Sequence, residues 1–261
     1  MLRVAVGVEY DGSPFCGWQS QAEGDTIQGV LENAIAQIAQ HPVRIHAAGR
    51  TDAGVHALMQ VAHFDSQSIR PDSAWVRGVN AYLPHSVRVL WAQKVSEGFH
   101  ARFSATGRSY LYWLMNTPVA PAIQRLQAGW YHHRLDLNAM QAGARHLLGE
   151  HDFSAFRASE CQAKSPIRSM REVNVSQRGD AFLFKFSADA FLHHQVRNMV
   201  GALVYVGNGK YPPRFIKDLL EQRDRTLSPP TFSPNGLYLA GVDYDPKWDL
   251  PLTQRSLLQV W

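Results

Sequence analysis

The sequence predicts an α+β protein made of two βαββαβ halves, with mainly antiparallel sheets joined side by side around a central cleft. Three observations carry this. Stretches that alternate apolar and polar residues flank stretches with apolar residues at helical spacing. The order strand, helix, strand, strand, helix, strand is complete within about the first hundred residues, the split βαβ or ferredoxin-like pattern. The same order then recurs in the second half.

Taken in order, Val4, Val6, Val8 and Tyr10 alternate with Arg3, Ala5, Gly7 and Glu9, which predicts a strand with one buried face. Asp11-Gly12-Ser13-Pro14 breaks it. Asp25 or Thr26 can cap the helix that follows, whose face is Ile27, Val30, Leu31, Ala34, Ile35 and Ile38. Strands are expected at 43–48 and 59–65, around a loop bracketed by Gly49 and Gly54. Pro71-Asp72 opens a second helix with Trp75, Val76, Val79 and Leu83, and Pro84 ends it. Val87, Val89, Trp91 and Val95 mark the next strand.

Residues 107–116 are apolar on both faces, as expected of a strand central in its sheet. Asp136 caps a helix with Leu137, Met140, Ala144 and Leu147, and Gly149 suits a left-handed C-terminal residue. A polar loop follows, then a hairpin: a strand at about 169–177, the turn Arg178-Gly179-Asp180, and a return through Phe182, Phe184 and Phe186. His194 to Val206 and a segment from Pro213 read as helices, and Gly236 to Tyr244 as the last strand. The domains expected are therefore 1–104, carrying the glycine-bracketed loop, and 105–261.

At 45% hydrophobic and 18% charged, the chain can bury a core and is not of disordered composition. Cys16 and Cys161 have no metal-ligand spacing and suit a reducing compartment. Glu9 interrupts the N-terminal apolar run too early for a signal peptide, and no apolar stretch reaches the roughly 18 residues of a membrane span. A soluble, cytoplasmic protein is expected. The net charge of +4 and pI of about 9.1 permit a polyanionic partner. Arginine outnumbers lysine, and 12 Phe, 9 Tyr and 7 Trp offer faces on which unstacked bases can lie.

The chemistry concentrates in Gly49-Arg50-Thr51-Asp52-Ala53-Gly54. Alone, this is a hairpin loop with a surface ion pair. A carboxylate there can also be a nucleophile, a general base or a metal ligand. His46 and His56 nearby match no ligand spacing. The pairs His132-His133 and His193-His194, if on strands, would face opposite sides.

Residues 49–57, Gly-Arg-Thr-Asp-Ala-Gly-Val-His-Ala, resemble the signature of the TruA family of tRNA pseudouridine synthases. The resemblance continues in order. It includes Tyr10-Asp11-Gly12 with Gly17-Trp18-Gln19, Phe99-His100-Ala101-Arg102 with Arg108-Ser109-Tyr110, and His151-Asp152-Phe153. It ends with Phe191 to Gly201 and with Gly236 to Leu239. It implies an isomerase that converts uridine to pseudouridine at positions 38, 39 and 40 of the tRNA anticodon stem-loop. It also implies two ferredoxin-like halves, a homodimer, and no cofactor or metal.

By the same resemblance Asp52 is the nucleophile, Tyr110 stacks on the uracil and can serve as a base, and Arg197 pairs with Asp52. Arg50 helps displace the base or holds phosphate, and Leu237 and Leu239 line the uracil pocket. Each has an ordinary alternative: strand core for Tyr110, Leu237 and Leu239, and a solvated cation for Arg197 and Arg50. Arg102, Arg108, Arg157, Lys164 and Arg168 are the main backbone-phosphate candidates, with Arg3, Arg44, Arg171 and Arg178 beside them. They predict binding that weakens steeply with salt. The competing reading is a non-catalytic RNA-binding protein with ferredoxin-like sheets. An aspartate-dependent hydrolase lacks a second carboxylate at a recognisable spacing.

Overall fold

In the computed structural model, which describes residues 1–257, the first half folds as β1 (Leu2–Tyr10), α1 (Ile27–Ala39), β2 (Ile45–Ala47), β3 (His56–Ser66), α2 (Val79–Tyr82) and β4 (Val87–Val95). The strand order is β4–β1–β3–β2, every neighbour antiparallel. Thr26, rather than Asp25, caps α1: its Oγ1 accepts from the Gly29 amide at 3.2 Å. The expected second helix begins as a π-helical turn, Ala74–Gly78, before α2. There Trp75 is buried with its ring edge-on to Phe64, centroids 5.2 Å apart.

β1 is buried on both faces, not one. Ala5, Met59, Val61, Trp91 and Phe99 form a core on the second face, covered by Tyr244, Trp248 and Leu250 from the end of the chain. Gly7 makes room for this. A Cβ there would stand 2.1 Å from the Trp91 indole nitrogen, which donates instead to the Leu252 carbonyl at 2.7 Å.

The second half contributes β5 (Ala105–Met115), β6 (Gly129–Trp130), α3 (Leu137–Arg145), β7 (Gly149–Asp152), β8 (Ile167–Arg178), β9 (Ala181–Ala188), α4 (Gln195–Gly207) and α5 (Phe215–Gln222). β5–β9–β8–β7 are antiparallel neighbours, and β6 pairs with β5 in parallel. β5 thus has partners in both β9 and β6, as its two apolar faces predict. Asp136 caps α3, accepting from the Ala139 amide at 3.0 Å. Gly149 is left-handed (φ +96°), but it opens β7; α3 has already ended at Arg145. β6 and β7 were not legible: two and four residues are too short to show a period.

The last strand, β10 (Leu237–Tyr244), runs parallel to β3, with Tyr238 opposite His56 and Leu239 opposite Ala57. The chain divides into one unit of Met1–Thr106 with the segment from Tyr238 on, and a second of Gly107–Leu237. The expected division at 104/105 lies beside the first of these boundaries; the return of the chain at Tyr238 has no counterpart in it. The α+β class with mainly antiparallel pairing is as predicted. Among the described residues no helix is long and apolar enough to cross a membrane.

Candidate active site

The Asp52 loop joins β2 to β3. The Gln60 side chain donates to the Gly49 carbonyl at 2.7 Å, and Val55 N donates to the Asp52 carbonyl at 3.1 Å. Gly54 is left-handed at φ +77°. Asp52 is half-buried and Arg50 exposed.

What holds this loop is the segment after β1. Tyr10 and Thr51 are both buried, and their hydroxyls share a hydrogen bond of 2.8 Å. Trp18 N donates to the Thr51 carbonyl at 3.0 Å. A Cβ on Gly17 would stand 2.8 Å from that oxygen, and one on Gly12 would stand 1.9 Å from the Val55 oxygen. Residues 12 and 17 must therefore be glycine for the two loops to lie this close. Thr51, just before Asp52, and Val55, three residues after it, are gripped by one clamp.

His56 anchors the far end. Its Nδ1 lies 3.1 Å from both the Gly12 amide nitrogen and Asp11 Oδ1. The His56 contact, opposed by burial and reinforced by the Ser13 hydroxyl and amide, holds the Asp11 carboxyl well below the usual range. Tyr238 stacks on His56 with centroids 4.7 Å apart, and burial, then the Asp11 charge, push its phenol upward. Sequence reasoning quoted Tyr10, Gly12, Gly17 and His56 within motifs but assigned them no task. Tyr238, between the two leucines it named, was missed. The available signal was the pairing of two glycine-bearing motifs.

In the second unit, Tyr110 is buried in β5 opposite Phe186, with its ring edge-on to Phe191 at 5.0 Å. Arg197 is half-buried on α4, and its Nε donates to the Phe232 carbonyl at 2.8 Å. Leu237 and Leu239 are both buried in β10. Among the phosphate candidates, Arg108 donates to the Asp189 carbonyl at 3.1 Å, Arg157 to that of Cys161, and Arg168 to those of Ser165 and Ile167. Lys164 and Arg102 are exposed. Arg3 is occupied by Asp65 and the carbonyls of Glu97 and Phe99, and Arg44 lies 3.5 Å from Glu32. The histidine pairs are not on strands. His132 and His133 have centroids 3.9 Å apart, and His193 and His194 4.0 Å; His194 is left-handed (φ +62°) just ahead of α4.

The profile of the tRNA pseudouridine synthase family matches residues 7–104 and 144–245. The chain belongs to this family. The first matched stretch spans the clamp and the Asp52 loop, and the second contains Arg197 and β10; Tyr110 falls between them. Curated relatives align over nearly the whole chain. The tRNA pseudouridine synthase A of Methylobacillus flagellatus is 62% identical over 256 residues, covering 98% of each chain. That of Nitrosomonas eutropha is 56% identical over 250 residues, covering 96% of this chain and 90% of its own. Among solved structures, a Cbf5-Nop10-Gar1 complex matches at a TM-score of 0.35 and 15% identity, over 77% of this chain and 45% of that one, too weak a likeness to carry an argument.

Proposed function

We propose that the chain isomerises uridine to pseudouridine at positions 38, 39 and 40 of the tRNA anticodon stem-loop, with Asp52 as nucleophile. The observation that carries this is the clamped Asp52 loop in a chain of this family: a half-buried carboxylate held at both ends by buried contacts. A surface turn needs no such support. In the reaction the N1–C1′ bond breaks, the base turns, C5 bonds to C1′, and the C5 proton is lost while N1 gains one. The target base must first leave its stack, at a cost of a few kcal/mol that phosphate contacts offset.

The remaining roles belong to the same proposal. Arg197 keeps Asp52 ionised, Tyr110 stacks on the uracil and takes the C5 proton, and Arg50 helps displace the base. The chain acts in the cytoplasm as a homodimer.

The test is tritium release from tRNA labelled at uridine C5. Wild-type protein should release tritium; Asp52→Asn and Asp52→Ala should be silent while still binding tRNA. Undiminished release by either variant overturns the assignment of the nucleophile. A wild-type chain that binds tRNA and releases nothing is an RNA-binding protein only.

A further inference from the structure

We propose that the turn at residues 99–104 is a stacking platform for an unpaired nucleobase of tRNA, with Phe103 and His100 as the rings and Arg102 as the adjoining phosphate contact. It rests on the tRNA reading above and adds a contact surface outside the Asp52 loop.

The turn is built to present these side chains. Phe99 and Ala101 are 0% exposed and anchor it in the core, whereas Phe103 is 77% exposed. The backbone closes on itself: His100 N donates to Ser104 Oγ at 3.0 Å, and Ser104 N to the His100 carbonyl at 2.8 Å. His100 Nδ1 lies 3.1 Å from Arg102 N and 3.3 Å from Phe103 N, accepting from the turn. Phe103 is thus an exposed ring on a braced backbone, and its display costs little entropy on binding.

It also ends a run of ring contacts, tilted at Phe103–His100, edge-on at His100–His63 and stacked at His63–His46. Phe103 lies 4.3 Å from His100, His100 4.6 Å from His63, and His63 5.1 Å from His46, centroid to centroid. Burial, followed by the neighbouring positive charges, lowers the His63 imidazole to about 3 and lowers His100 as well. Both rings are therefore neutral near pH 7; His63 is buried behind the turn, and the partly exposed His100 offers a face, not charge. The cation is Arg102, its guanidinium carbon 5.6 Å from the Phe103 centroid. Asp65, the carboxylate facing His63, is held by Arg3 at 2.8 Å through both oxygens. An exposed aromatic ring with one guanidinium beside it matches a base and its phosphate. An apolar protein partner would need apolar neighbours, and the turn offers His100 and Arg102.

The experiment measures binding of an unmodified tRNA transcript over a range of salt concentrations. Phe103→Ala should weaken binding roughly five- to a hundredfold with the salt slope unchanged, while Phe103→Trp should retain affinity and lose indole fluorescence on binding. Arg102→Ala should lower the salt slope by about one ion. Ile69→Ala, another exposed apolar side chain at 85%, is the control and should bind as wild type. Wild-type affinity in Phe103→Ala overturns the platform. So does a shift of that variant from dimer to monomer in sedimentation with tRNA affinity kept, which makes Phe103 a contact between copies. If wild type binds tRNA without releasing tritium while Phe103→Ala still weakens binding, catalysis is refuted and the platform stands.

Discussion

Buried in β3 between His46 and His100, His63 accepts the Ala101 amide at Nδ1 (3.1 Å). Its folded pKa is about 3, burial being the largest cause, against about 6.5 in an unfolded chain. Between those values the unfolded state binds the extra proton, so stability falls as pH drops from about 6.5 toward 3. Urea unfolding midpoints of wild type should decline from pH 6.5 to 5, above the carboxylate range. In His63→Gln, which keeps an acceptor for the amide, the decline should flatten. Parallel profiles would refute this account. At this scale the sequence was partly legible. The cap Asp136 could be read, and the cap of α1 narrowed to Asp25 or Thr26, because capping is a property of three or four adjacent residues. The state of His63 could not, because its neighbours come from β2 and from the turn after β4.

The Asp52 loop is organised by an element distant in the chain. The segment after β1 fits against it only because two glycines let backbones meet, with Gly12 against Val55 and Gly17 against Thr51. Gly12→Ala would drive its Cβ into a backbone carbonyl that cannot swing aside, so the loop must shift. A displacement of about 1 Å at a reacting group costs on the order of a hundredfold in rate. Gly12→Ala should therefore lower kcat for tritium release by one to two orders of magnitude. Gly98→Ala, whose Cβ would meet the edge of Trp248 at 3.8 Å and Ser96 Oγ at 4.0 Å, both ordinary contacts, should leave it unchanged. Wild-type turnover in Gly12→Ala would remove the clamp from the catalytic account. The two motifs were visible in the sequence; that one grips the other was not, since periodicity carries no information about which loops touch.

For the whole molecule, sedimentation at micromolar concentration should show a homodimer, and a monomer would contradict that part of the proposal. Val119, Ile123, Leu126 and Trp130 of the second unit are exposed apolar side chains. The sequence by itself determined the α+β class, the order of the longer elements, the Asp136 cap and the family, all signals written in residues near one another or in ordered motifs. Only the tertiary structure decided that β10 returns beside β3, that a C-terminal segment buries the second face of β1, and that Tyr10, Gly12 and His56 brace the loop around Asp52. Each is a contact between distant segments, selected by shape and by the burial of polar groups that must find partners, and neither is expressed in local sequence pattern.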